Sequence, residues 1–104
     1  MMITISTRKR GDTLTVLLEG KLNRMTADTL EERLDSEMRG VKKLIFDFEK
    51  LIFISSAGLR VLVKMRQQIG ERENMEIRNV QEDVMKIFTL TGLADYLNIH
   101  PIQE

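Results

Sequence analysis

Ser55 and Ser56, followed by Ala57 and Gly58, carry the side chains whose type and spacing point most directly to chemistry in this chain. They stand between the apolar run Leu51-Ile52-Phe53-Ile54 and a stretch of helical periodicity. A serine so placed has three readings: a nucleophile, an acceptor of phosphate, or an N-cap that only starts the helix. The nucleophile of a serine hydrolase needs a base and a group to orient it. The single histidine, His100, stands beside Pro101 near the C-terminus, and the Gly-x-Ser-x-Gly elbow is absent. The chain therefore reads as non-enzymatic.

A phosphate suits the same position. Backbone N–H groups at a helix start, together with the positive end of the dipole, favour an anion. Phosphorylation of Ser56 would place about −1.5 to −2 charge there without opposing the helix. Ala57 and Gly58 are small enough for a second protein to approach the backbone, although Gly58 serves equally well to relieve packing. Either serine can cap.

Other chemistry-bearing residues read structurally. Asp47 and Glu49 would share one face of a strand, but no histidine or third acid adjoins them, so they read as a solvated strand end and not as a metal site. The seven methionines, Met38, Met65 and Met85 among them, suit adaptable packing. Arg8-Lys9-Arg10 reads as a solvated hairpin end, and Arg24, Arg60 and Lys64 as a rim around the serines. No residue set calls for a cofactor.

The elements that hold the serines follow from periodicity. Ile3 to Thr7 and Leu14 to Glu19 alternate about Gly11-Asp12, which predicts an antiparallel hairpin ended by Gly20. Ala27, Leu30, Leu34, Met38 and Val41 repeat at helical spacing, with Asp28, Glu31 and Glu32 in the first turns and Arg39 in the last before Gly40. Leu44 to Phe48 reads as a central strand covered on both faces, interrupted by Glu49-Lys50 before Leu51 to Ile54. A second helix runs from the serines to Gly70, with Leu59, Leu62, Val63, Arg66 and Ile69 on one face. Met75 to Arg78 is a strand. Asn79 caps a third helix through Thr91 with Val80, Val84, Ile87 and Phe88 inward, and Leu97 to His100 forms a last strand. The order β-β-α-β-α-β-α-β defines one α/β domain over residues 1–104, with a mixed, mostly parallel sheet and helices packed on it.

Length and charge narrow the function classes. The chain has 104 residues, 16 basic and 16 acidic, and no cysteine. That balance argues against nucleic acid, and the missing cysteine excludes disulfides and thiolate metal sites. No apolar stretch approaches the roughly 20 residues that span a bilayer. We expect a soluble, cytoplasmic protein.

The junction resembles the STAS family, named for sulfate transporters and anti-sigma factor antagonists. Its pattern of apolar strand, Asp or Ser, phosphorylatable Ser or Thr, small residue, Gly and aliphatic residue is met by Ser55, Ser56, Ala57, Gly58 and Leu59. Gly20-Lys21-Leu22-Asn23-Arg24-Met25-Thr26-Ala27 is similar to the family's Gly-x-Leu-Asp-x-x-Thr-Ala segment, with Asn23 for the acid, and Phe88 to Leu93 is similar to the end of its third helix. The resemblance implies a domain that binds an anti-sigma factor with serine-kinase activity and is switched off by phosphorylation, which a phosphatase reverses. It implies Ser56 as the acceptor, with Ser55 as second choice, and Asn23, Arg24, Ser55, Ser56, Ala57, Gly58, Leu59 and Arg60 as the partner surface. An unphosphorylated scaffold or a transporter-associated subunit is the alternative the same family offers.

Overall fold

Alternation along the strands builds one five-stranded sheet whose inward residues are apolar and whose outward residues are mostly polar. The computed structural model describes residues 3–103; Met1, Met2 and Glu104 lie outside them. The elements are β1 (Thr4–Arg10), β2 (Thr13–Leu22), α1 (Arg24–Glu37), β3 (Lys43–Ile54), α2 (Ser56–Ile69), β4 (Met75–Val80), α3 (Glu82–Leu90), α4 (Leu93–Tyr96) and β5 (Ile99–Pro101). The strands lie side by side in chain order. β1 runs antiparallel to β2, and the other neighbours are parallel. The predicted order is therefore met, with two additions: a 3-10 turn at Arg72–Asn74 and the short α4.

The core lies on one face only. Leu14, Val16 and Leu18 of β2, Leu44, Phe46 and Phe48 of β3, and Met75 and Ile77 of β4 are buried beneath the helices. Phe48 meets Phe46 edge-on and stacks on Phe88 of α3, with ring centres 6.4 Å apart in the second pair. The opposite face carries Ser6, Arg8, Thr15, Asp47 and Arg78, exposed or half-buried, so β3 is not covered on both sides as its apolar run suggested. Ile45 alone on that face is buried, between Thr15 and Glu76 in the register.

β3 also continues through Glu49-Lys50 where an interruption was expected. Its register against β2 slips between Leu17 and Glu19 and again between Gly20 and Lys21, each time with an extra residue in β3. A bulge shifts the side-chain alternation by one. Inward residues are therefore Phe48, Leu51 and Ile54, spaced by three, while Ile52 and Phe53 turn outward. β2 likewise runs on through Gly20, whose φ of 114° fits the irregular ladder, to Leu22.

The helix ends differ from expectation: the Asn23 side chain caps α1 early, whereas α3 starts behind Gln81, which makes no side-chain cap. α1 starts at Arg24 behind Asn23, not at Ala27, so Asp28, Glu31 and Glu32 fall beyond the first turn. It ends at Glu37, leaving Arg39 outside. In α2 the buried residues are Gly58, Leu59, Val61, Leu62 and Met65, with Val63 and Ile69 only half-buried, while Arg66 stacks over the Tyr96 ring. Asn79 belongs to β4 and caps nothing. Its φ is +58°, and its amide donates to Asp47 Oδ1 at 3.2 Å. α3 starts at Glu82, so Val80 is a core strand residue. β5 begins later than expected and includes Pro101, which an edge strand tolerates.

Candidate functional site: the paired helix starts

Two parallel strands end together and release two helices side by side. Leu22 of β2 pairs with Ile54 of β3, and the backbone N–H of Ser55 donates to the Leu22 carbonyl at 2.8 Å. One residue beyond each strand stands an N-cap: Asn23 for α1 and Ser55 for α2.

The first cap is closed. Asn23 Oδ1 accepts from the N–H groups of Met25 and Thr26, both at 3.0 Å, and the Asn23 N–H donates to Thr26 Oγ1 at 2.8 Å. The Thr26 hydroxyl is buried and donates to the Lys21 carbonyl at 2.8 Å. This reciprocal capping box retains the geometry of an acidic cap without its charge.

The second cap assigns the two serines different work. Ser55 is half-buried, and its hydroxyl accepts from the Gly58 N–H at 3.4 Å. Ser56 is the first helical residue and is exposed, and among the described residues nothing hydrogen-bonds its hydroxyl. Gly58 is buried, with no room for a side chain: a Cβ there would stand 2.8 Å from Leu22 Cγ and 2.9 Å from Ile54 Cγ1. Leu59 is buried as well. Of the eight residues expected at a partner surface, Arg24, Ser56 and Arg60 are exposed, Asn23, Ser55 and Ala57 are half-buried, and Gly58 and Leu59 support the surface from beneath. Lys64 ties α2 to α1 through Glu31 and Asp35, and the hydrogen bond it donates to Glu31 raises its pKa above the ordinary lysine value.

Three apolar side chains missed in the sequence join this end of the domain. Met25 is 78% exposed in the first turn of α1, and Ile52 and Phe53 are 57% and 42% exposed just before the serines. The signal of Ile52 and Phe53 was hidden because a bulge, unlike a turn, leaves an apolar run looking continuous.

The single histidine stands apart from Ser56. His100 lies on β5 with Nε2 3.7 Å from Glu76 Oε1, and Glu76 is level with Ile45, near the opposite end of β3 from Ser56. Asp47 accepts from the Glu49 N–H and from Asn79, a structural role at the first bulge. Among the described residues no group of three or more His, Asp or Glu is arranged to hold a metal ion. A groove between α3 and the ends of β4 and β5 is lined by Val80, Met85, Leu90 and Ile102, and neither serine lines it.

The sequence pattern of the STAS domain matches residues 4–103, and the chain belongs to that family. It is 29% identical over 91 residues to "Putative anti-sigma factor antagonist BtrV" of Bordetella bronchiseptica, covering 86% of this chain and 76% of that protein. In fold it is similar to an anti-sigma factor antagonist from Mycobacterium paratuberculosis, with TM-score 0.85, 21% identity, and 96% and 86% of the two chains covered. It is also similar to the anti-sigma factor antagonist SpoIIAA. The unphosphorylated form gives TM-score 0.79 at 18% identity, covering 92% and 87% of the chains. The phosphorylated Bacillus form gives 0.71 at 17%, covering 92% and 90%. Among the described residues no helix is long and apolar enough to cross a membrane.

Proposed function

We propose that this chain is an anti-sigma factor antagonist. Its unphosphorylated form binds an anti-sigma factor that is also a serine kinase, and this binding frees the sigma factor. The observation that carries the reading is the exposed, unengaged Ser56 hydroxyl in the first turn of α2, at the end of the domain that also exposes Met25, Ile52 and Phe53. Exposed apolar side chains at one end of the domain, with the exposed Arg24 and Arg60 at the starts of the two helices, suit protein docking. The similarity to BtrV and to both forms of SpoIIAA supports the same assignment.

The switch needs no shape change. A phosphate on Ser56 lies where the partner lands and must be desolvated or repelled on contact. A penalty of about 3 kcal/mol lowers affinity roughly a hundredfold. The helix tolerates the charge because its N-terminus favours an anion. Ser55 is the poorer acceptor, since its hydroxyl is occupied as the cap of α2. ATP and magnesium belong to the kinase, and this chain is its substrate in the cytoplasm; a phosphatase restores the active form.

Incubation with a serine-kinase anti-sigma factor of the same organism and ATP, followed by peptide mapping, tests the assignment. Modification is expected on Ser56 and abolished in Ser56→Ala. An unmodified Ser56 with binding intact would instead leave an unswitched scaffold.

A further inference from the structure

At the end of the sheet away from Ser56, the fold gathers six cations in a chain of zero net charge. Arg8, Lys9 and Arg10 close β1, and Arg39, Lys42 and Lys43 form the connection from α1 into β3. The N–H groups of Lys42 and Lys43 both donate to the Asp12 carbonyl, at 2.7 and 3.1 Å, and Lys9 Nζ donates to the Arg39 carbonyl at 2.6 Å. Register places Arg10, Thr13 and Lys43 in one row across the open face, with Arg8 beginning the next.

These charges are only partly offset from within: Lys9 acts through space on Glu37 and Lys43 on Glu76. Among the described residues none of the six forms an ion pair within 4.0 Å. Of the nearby carboxylates, Glu37 is held by Thr7 and Arg33, and Glu76 by Arg78. Asp12, exposed in the hairpin turn, lies 3.5 Å from Thr13 Oγ1.

The cations border a free sheet edge. Among the described residues β1 pairs only with β2, so its other side presents unpaired backbone N–H and C=O groups along the seven-residue strand. We propose that this edge takes up an extended acidic segment of a partner protein as a sixth strand, with Arg8 and Arg10 meeting its carboxylates on the open face. Charge complementarity selects the occupant. None of the exposed large apolar side chains belongs to this cluster, so a bilayer has nothing to receive, and no aromatic ring stands there to stack a base.

A fluorescein-labelled peptide of alternating glutamate and valine, titrated into the whole chain at low salt, tests this. Binding should weaken at least tenfold in Arg8→Glu/Arg10→Glu, and also in Arg39→Glu/Lys42→Glu, which leaves β1 untouched. It should be unchanged in Ser56→Asp. Alternate β1 amides should exchange more slowly with peptide present. The proposal fails if a folded charge-reversed variant binds equally well, or if the β1 amides gain no protection. It fails too if the edge pairs with a second copy as protein concentration rises, or if a single-stranded oligonucleotide or phosphatidylserine vesicles bind and the peptide does not.

Discussion

The Ser55 N–H reaches the Leu22 carbonyl at 2.8 Å, and this bond fastens the start of α2 to the last residue of β2. Leu22 then fills the space beside Gly58, so the strand that delivers α1 also seats α2. The exposed Ser56 is thereby held on a rigid support. Its height above the core is set by buried residues.

Gly58→Ala tests that support. Its φ lies outside the left-handed region, so the obstacle is space alone: the new methyl would overlap Leu22 and Ile54, both fully packed. Overpacking of this kind costs about 1–3 kcal/mol. A thermal melt should show Tm lower by at least about 4 °C. Unchanged Tm would mean that the strand ends yield freely.

Asn23→Ala removes the acceptor of two N–H groups and should cost about 0.5–2 kcal/mol in denaturant unfolding. Asn23→Asp keeps the acceptor and places a negative charge at the positive end of α1, so stability should hold or rise. A loss with Asp equal to that with Ala would contradict the capping account.

The sequence disclosed the order of elements and the junction because periodicity and caps are local signals. Ser55 as a cap and Gly70 as the end of α2 are of this kind. The two bulges in β3 are not, since they follow from a ladder with β2 that no single segment records. For that reason Ile52 and Phe53 looked like core and Glu49-Lys50 like a break. Asn79 misled for a related cause. Its polar type suits a cap, but its partner, Asp47, lies on another strand. The division of labour between Ser55 and Ser56 likewise depends on which one the strand end leaves facing solvent.

Acid should loosen the fold through Glu76 and Glu37. The hydrogen bond from Arg78 holds Glu76 below its ordinary value of 4.5, and bonds from Thr7 and then Arg33 do the same for Glu37. Both carboxyls ionise more readily in the folded chain, so their stabilisation is complete above the unfolded value and is lost as pH falls through the depressed folded values. Unfolding free energy measured between pH 6 and about pH 3 should decline, and Glu76→Gln should flatten part of that slope. An unaltered slope in the variant would remove Glu76 from the explanation.

Phe53→Ser and Met25→Ser should leave the melt within about 0.5 kcal/mol of the parent, because both side chains face solvent. Each should weaken anti-sigma factor binding by roughly tenfold or more if it anchors the interface. Stability loss without a binding defect would return both residues to the core.

Calorimetric titration of the parent, Ser56→Ala and Ser56→Asp against the kinase anti-sigma factor tests the central claim most directly. We expect Ser56→Ala to bind like the parent and Ser56→Asp, with its single carboxylate, to bind at least tenfold more weakly. Equal affinity for all three would show that the exposed serine lies outside the contact and would contradict the switch.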